Sequence, residues 1–150
     1  MAIEYHLTLA GDIPLEQVAA LAAPEAIEAP APPGYPRLLS ADLEESRGYT
    51  VSITSGSHGY YEAQDDDGSQ WEWEPEAYVD ATFRMSKNDL SRYGVPNMIA
   101  AVARVLAGRT EDAALTLNGD WLLLTRFGGE LRKHNVATWY DENYDNIFGK

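Results

Sequence analysis

The chain has 150 residues, no cysteine and a formal charge of −13. That length suits one domain, residues 1–150, with a core of its own. The missing cysteine excludes disulfides, thiolate nucleophiles and Cys-ligated zinc, and the acidity argues against nucleic acid as partner, because phosphate contacts need Lys and Arg.

Ile3, Tyr5, Leu7 and Leu9 alternate with Glu4, His6 and Thr8, the period of a half-buried strand. With Glu4 and His6 inside the alternation and no basic region before it, this start does not read as a targeting segment. No apolar run approaches the roughly 20 residues that span a bilayer, so the expected location is the cytoplasm. Asp12 as N-cap, with Pro14 in the first turn, predicts a short helix whose stripe is Leu15, Val18, Ala19 and Ala22, ended by Pro24. Residues 24–36 hold five of the eight prolines, with alanine between them, and read as a surface loop.

From Arg37 to Ser86 the expectation is strand after strand: Leu38–Leu43, then Tyr49–Thr54, then one starting at Tyr60, then Trp71–Glu74, then Tyr78–Met85. Short Gly- and Asp-containing connections predict antiparallel hairpins between them. Val95, Met98, Ile99, Val102, Val105 and Leu106 give the core face of the main helix, with Gly108 placed for its C′ cap and Arg104 and Arg109 near its C-terminal end. Asn118-Gly119, between Ala114–Leu117 and Trp121–Thr125, is a hairpin signature. Gly128-Gly129 leads to another strand, Glu130–Arg132. The tail from Trp139 to Lys150 fits a short helix or an irregular segment equally well. The expected fold is α+β: one mostly antiparallel sheet of about seven or eight strands, with two helices on one face.

The charge is uneven. Residues 1–75 carry −12 and residues 76–150 carry −1. Window 61–80 holds Glu62, Asp65, Asp66, Asp67, Glu72, Glu74, Glu76 and Asp80, and no Lys or Arg. A solvated, self-repelling surface would explain such a run. Aromatic residues inside it strengthen the case for a docking face beside that explanation. Trp71 and Trp73 share one side of their strand and Glu72 and Glu74 the other. An outward Tyr60 or Tyr61 among carboxylates suits Arg and Lys of a basic partner. The candidate binding residues are Tyr60, Tyr61, Glu62, Asp65, Asp66, Asp67, Glu72 and Glu74.

Other chemistry finds less support. His6, His58 and His134 share no ligand spacing, and the serines give no nucleophile elbow. Ser55-Gly56-Ser57-His58-Gly59 reads as a hairpin turn rather than a phosphate loop, since strands flank it. Asp65-Asp66-Asp67-Gly68 resembles a calcium loop only in part. Counting back from Gly68 puts Ala63 at the first ligand position, so a solvated turn is the better reading. Glu72 and Glu74 lie at a separation a glycosidase could use, but eight acids without a base make no tuned pair. No catalytic residue, metal or cofactor is assigned.

Several segments carry a resemblance by their order: Met1-Ala2-Ile3-Glu4-Tyr5, Leu39-Ser40-Ala41-Asp42, Trp71-Glu72-Trp73-Glu74-Pro75, Phe83-Arg84-Met85, Asn97-Met98 with Ala101-Val102-Ala103-Arg104-Val105-Leu106, and Glu111-Asp112-Ala113-Ala114-Leu115 with Asn118-Gly119 and Leu122-Leu123-Leu124. In that order the chain resembles the swarming-inhibition-toxin immunity proteins of bacterial polymorphic toxin systems, over most of its length. The loop at 24–36 matches least. The resemblance implies a non-enzymatic protein that binds and neutralises a cognate toxin in the producing cell's cytoplasm, and it transfers no site residue. From charge alone, that toxin is expected to be a nuclease with a basic site. Two other classes stay open: a small-ligand or enzymatic domain with a cleft between sheet and helices, and a module that oligomerises through a strand edge. Oligomeric state is not readable from the sequence.

Overall fold

The structure, a computed structural model, describes residues 2–86 and 93–148. The elements run β1 (Ala2–Ala10), α1 (Leu15–Ala22), β2 (Ile27–Glu28), β3 (Leu39–Leu43), α2 (Glu44–Arg47), β4 (Tyr49–Ser57), β5 (Tyr61–Gln64), β6 (Gln70–Trp73), β7 (Ala77–Ser86), α3 (Val95–Gly108), β8 (Ala113–Leu117), β9 (Trp121–Phe127), β10 (Glu130–Lys133), α4 (Val136–Trp139) and α5 (Asp145–Phe148), with a 3-10 turn at Glu142–Tyr144. The fold class is α+β, as expected. The described residues form ten strands rather than seven or eight, and five helices rather than two, three of them only four residues long.

One sheet holds every strand, in the order β2-β3-β4-β7-β1-β8-β9-β5-β6, with β10 also on β9. β1 is central and antiparallel to both β7 and β8. Period-two alternation sends Tyr5, Leu7 and Leu9 to one face, joined there by Tyr49, Val51 and Ile53 of β4 and Val79, Ala81, Phe83 and Met85 of β7, all buried. The helices α1 and α3 cover this face through Leu15, Val18, Ala22, Met98, Ile99, Val102 and Val105. Each of these Leu, Val, Ile and Met side chains contributes about 1.5–3 kcal/mol when fully buried, so this layer holds the fold together. None of the helices described is long and apolar enough to cross a membrane.

Strand pairing departs from the chain-neighbour expectation at β4. This strand does not form a hairpin with β5. It pairs with β7, from Thr50↔Arg84 to Ser57↔Ala77, and the ladder extends through His58 N–H to Glu76 C=O and Gly59 N–H to Pro75 C=O. Residues 60–74 are therefore the folded-over tip of one long hairpin, and β5–β6 is a smaller hairpin within it. The expected turn at Ser55–Gly59 shrinks accordingly, since β4 runs on to Ser57. Gly56 and Gly59 serve packing: a Cβ on Gly56 would lie 2.4 Å from Tyr78 Oη and 2.6 Å from its Cζ.

Smaller corrections have equally local causes. Pro14, not Asp12, occupies the N-cap of α1, with no side-chain cap. Gly108 ends α3 inside the helix and admits close packing, because a Cβ there would meet the Leu21 methyls at 2.8 Å. Arg104 donates to the Leu21 and Ala22 carbonyls at the end of α1, Arg109 holds Glu111 and Gln17, and neither lies in the last turn of α3. The proline-rich stretch contains β2, whose Ile27 and Glu28 pair with β3, and Arg37 ties it down through Glu28 and Glu16. The tail combines both alternatives, short helical turns that pack Trp139, Tyr144 and Phe148 against the core. Its last two residues, 149–150, lie outside the described residues.

Candidate functional site

Asp65 to Ser69 close β5–β6 as a type I turn followed by a glycine bulge. Gly68 N–H donates to Asp65 C=O at 3.0 Å, Asp65 N–H donates to Ser69 C=O at 2.9 Å, and Gly68 has φ +81°. That turn fixes the register Tyr61↔Trp73, Glu62↔Glu72, Ala63↔Trp71, Gln64↔Gln70. The inner face carries Tyr61, Ala63, Trp71 and Trp73. Both tryptophans pack on Phe127, and Ala63 joins Ala114 and Leu122 in a second small core on the sheet face opposite the helices. Tyr61 lies between Trp73 and Tyr78, half-buried, with ring centroids 6.0 and 5.6 Å away. It is therefore not an outward anchor. Burial, with the negative charge of Asp80, pushes its phenol well above the usual range.

Tyr60, Glu62, Glu72 and Glu74 remain outward and exposed. Glu62 and Glu72 face each other directly across the two strands. Like charges in that position are destabilising. Among the described residues no Lys or Arg pairs with Glu62, Glu72 or Glu74. Neutral donors hold the pair instead. Tyr60 Oη is 2.5 Å from Glu72 and 2.8 Å from Glu62, and Gln70 Nε2 is 2.5 Å from Glu62. One hydroxyl proton cannot serve two carboxylates at once. Glu72 and Glu62 as acceptors hold the Tyr60 phenol well above its usual range.

Beside this face the β8–β9 turn adds Asp120 and Trp121, which the sequence reading missed. Together with Glu62, Gln64 and Gln70 they line an open groove of about 420 Å³. Trp121 is 38% exposed, Tyr60 54%. The signal for Trp121 was its place two residues after the Asn118-Gly119 turn, where a strand begins. Its approach to β5, through the single parallel bridge Gln64↔Trp121, has no local signature.

The aspartates of the turn do other work. Asp65 Oδ1 lies 2.8 Å from His134 Nδ1, and His134 Nε2 lies 2.8 Å from Thr125 Oγ1. Asp66 accepts from Asn135 N–H, and the Asn135 amide donates to Gln64 and Leu122 carbonyls at 2.9 Å. This latch fastens the hairpin tip to the β10–α4 junction, so the turn is not simply solvated. Burial raises the Asp65 carboxyl, but the Asp66 N–H and the His134 ring outweigh it and hold it below the usual range. Asp67 is occupied locally by Ser69, whose hydrogen bonds hold its carboxyl low. Asp65, Asp66 and His134 offer ligand atoms within 4.8 Å of one another. Both nitrogens of His134, 6% exposed, already have partners. His58 sits apart, exposed, beside Glu76 at 3.0 Å.

On the open face of the central strands His6 Nδ1 is 3.0 Å from Thr82 Oγ1 and 3.6 Å from Asp80, and Thr8 donates to Asp80 at 3.4 Å. The Asp80 carboxylate raises the His6 ring above its usual range against the effect of burial. A ligand cleft between sheet and helices would have to lie at their interface, which opens only at its end, in a pocket of about 510 Å³ among Tyr5, Val95, Leu117, Trp139 and Tyr144. The gap among Leu7, Leu106, Leu115, Leu124 and Leu131 leaves no room for a water molecule.

The family described as SitI3-like matches residues 3–143. No curated protein and no solved structure matches the chain. A match over nearly the whole length, in agreement with the order of motifs along the sequence, assigns the family: the chain belongs to the SitI3-like family of Sit-type immunity proteins of bacterial polymorphic toxin systems.

Proposed function

We propose that this immunity protein binds and neutralises its cognate toxin through the outward face of β5–β6, without catalysis, in the cytoplasm of the producing cell. The observation that carries the reading is the Glu62–Glu72 pair. Two carboxylates opposite each other, bridged by neutral donors and with no cation among the described residues, are a destabilising like-charge cross-strand pair. Such a pair marks a place where local stability is given up for something else. A guanidinium or ammonium from a partner satisfies both carboxylates at once, and Tyr60 and Trp121 offer aromatic faces beside them.

Three described arginines of the second half are engaged elsewhere. Arg104, Arg109 and Arg126 are spent on carbonyls and on Glu111 within the fold. The hairpin is rigid in its support, held by the Trp71–Trp73–Phe127 cluster and the His134 latch, which lowers the ordering cost of docking. A toxin with a basic substrate site, such as a nuclease, has the complementary charge, and occlusion of that site is the mode of inhibition the charge favours. The binding face is Tyr60, Glu62, Glu72 and Glu74, with Asp120 and Trp121. Asp65, Asp66 and Asp67 support it from within the turn, and Tyr61 from beneath.

The test is co-expression with the cognate toxin. Glu72→Lys with Glu74→Lys is expected to abolish protection while the variant stays folded. Full protection by that variant would rule this face out.

A further inference from the structure

We infer that the toxin docks by adding an extended strand to the outer edge of β6, with basic and apolar side chains alternating along the added strand. This inference rests on the reading above and gives it a backbone geometry.

Half of the backbone groups of β6 face away from β5. Asp65 N–H bonds to Ser69 C=O, so those two residues are a hydrogen-bonded pair. Bonded and non-bonded pairs alternate along an antiparallel ladder. Ala63/Trp71 and Tyr61/Trp73 are then bonded pairs, while Gln64/Gln70 and Glu62/Glu72 are not. In a non-bonded pair the N–H and C=O point away from the partner strand. Gln64 obeys this, since its N–H donates to Asp120 C=O at 2.7 Å, on the side of β9. By the same rule the N–H and C=O of Gln70 and Glu72 point to the outer edge of β6. That edge ends the sheet, with no strand beyond it among the described residues.

The other edges are guarded in the usual ways. β2 is two residues long and sits within a stretch of five prolines, and β10 carries Arg132 and Lys133. Gln70–Trp73 contains neither proline nor lysine. Its one charge selects the occupant. A second copy of β6 would bring Glu72 beside another acidic strand, whereas a basic strand would meet opposite charge. Side chains of an added strand lie alternately beside Glu72 on the outer face and beside Trp71 and Trp73 on the inner, which sets the basic–apolar alternation.

Hydrogen exchange on the complex with the cognate toxin's domain is the experiment, together with two variants at one site. The amides of Gln70 and Glu72 are expected to exchange at least about tenfold more slowly in the complex than in the free protein. Gln70→Pro removes an outward N–H without breaking a backbone bond to β5, loses the same side-chain bond to Glu62 that Gln70→Ala loses, and is expected to weaken affinity at least about tenfold. Gln70→Ala, which keeps the N–H, should stay within about threefold. A complex whose affinity falls with Glu72→Lys plus Glu74→Lys, yet leaves both amides exchanging as in the free protein, overturns strand addition and leaves the acidic face standing. Affinity indifferent to those charge reversals overturns the acidic face itself, and both readings fail together if no complex forms. Protection of the two amides in the chain alone, with a dimer in sedimentation, means a second copy occupies the edge and also overturns the inference.

Discussion

Neutralising Glu72 should make the protein more stable while making it a worse inhibitor. Tyr60 Oη touches both carboxylates, at 2.5 and 2.8 Å. That places them within roughly 5 Å of each other, where two unit charges in water repel by about 0.8 kcal/mol. Screening at 0.1 M salt, with a Debye length of about 10 Å, reduces this to about 0.5 kcal/mol. Glu72→Gln keeps the shape and an acceptor for Tyr60, so the gain is not offset by lost packing. For a chain of this size about 0.5 kcal/mol corresponds to a rise in Tm of about 1–2 °C. The assay is thermal and urea unfolding of both proteins in 20 mM and 500 mM NaCl, both concentrations chosen to bracket about one Debye length of pair separation. Stabilisation at low salt that fades at high salt is the expected result, together with weaker toxin binding. A variant less stable than the parent, or a gain that ignores salt, would refute the reasoning that this pair is a strained feature of the surface.

Other predictions concern the groups that hold the hairpin and the open sheet face. Asp65→Asn should cost about 1–3 kcal/mol near neutral pH, since it weakens a charge-assisted bond to a buried imidazole. Because the folded state holds Asp65 below its usual range, its contribution is present above the unfolded value and is lost as pH falls through the folded one. The two proteins should therefore converge in urea midpoint under acid conditions. His6 has the opposite sign. Its ring is raised by Asp80, so its contribution is complete below the unfolded value, about 6.5, and is lost as pH rises through the folded one. A parent that loses stability over that rise, beside a flat His6→Gln, is the expected pair of pH profiles. Gly56→Ala should cost about 1–3 kcal/mol by driving a Cβ into the Tyr78 ring. Urea unfolding of the Tyr78→Ala background should show a clearly smaller effect.

Local periodicity carried much of this structure into the sequence. The alternation around Leu7, the 3/4 spacing from Met98 to Val105 and the Asn118-Gly119 turn, with φ of +53° and +71°, each depend on neighbours a few residues apart. The opposition of Glu62 and Glu72 follows once Asp65–Gly68 is known to be the turn, so the centre of the candidate site was legible from the hairpin alone. Pairing β4 with β7 was not, because residues 58–76 intervene and nothing local says that a strand will skip its neighbour. His134 reads as an isolated histidine in sequence and meets Asp65 only through 69 positions of chain. Tyr60 and Tyr61 are adjacent and chemically identical. Only the strand's phase decides that one faces solvent and the other is packed on Tyr78.

Affinity for the cognate toxin's domain, measured by calorimetry for the parent and for Glu72→Lys with Glu74→Lys, tests the central claim most directly. Reversing two charges at a face that meets a basic site should weaken binding by at least about a hundredfold, roughly 2.7 kcal/mol. The same pair of titrations at low and high salt should show the parent's advantage shrinking as salt rises. Equal affinity of parent and variant, at either salt, would contradict the account.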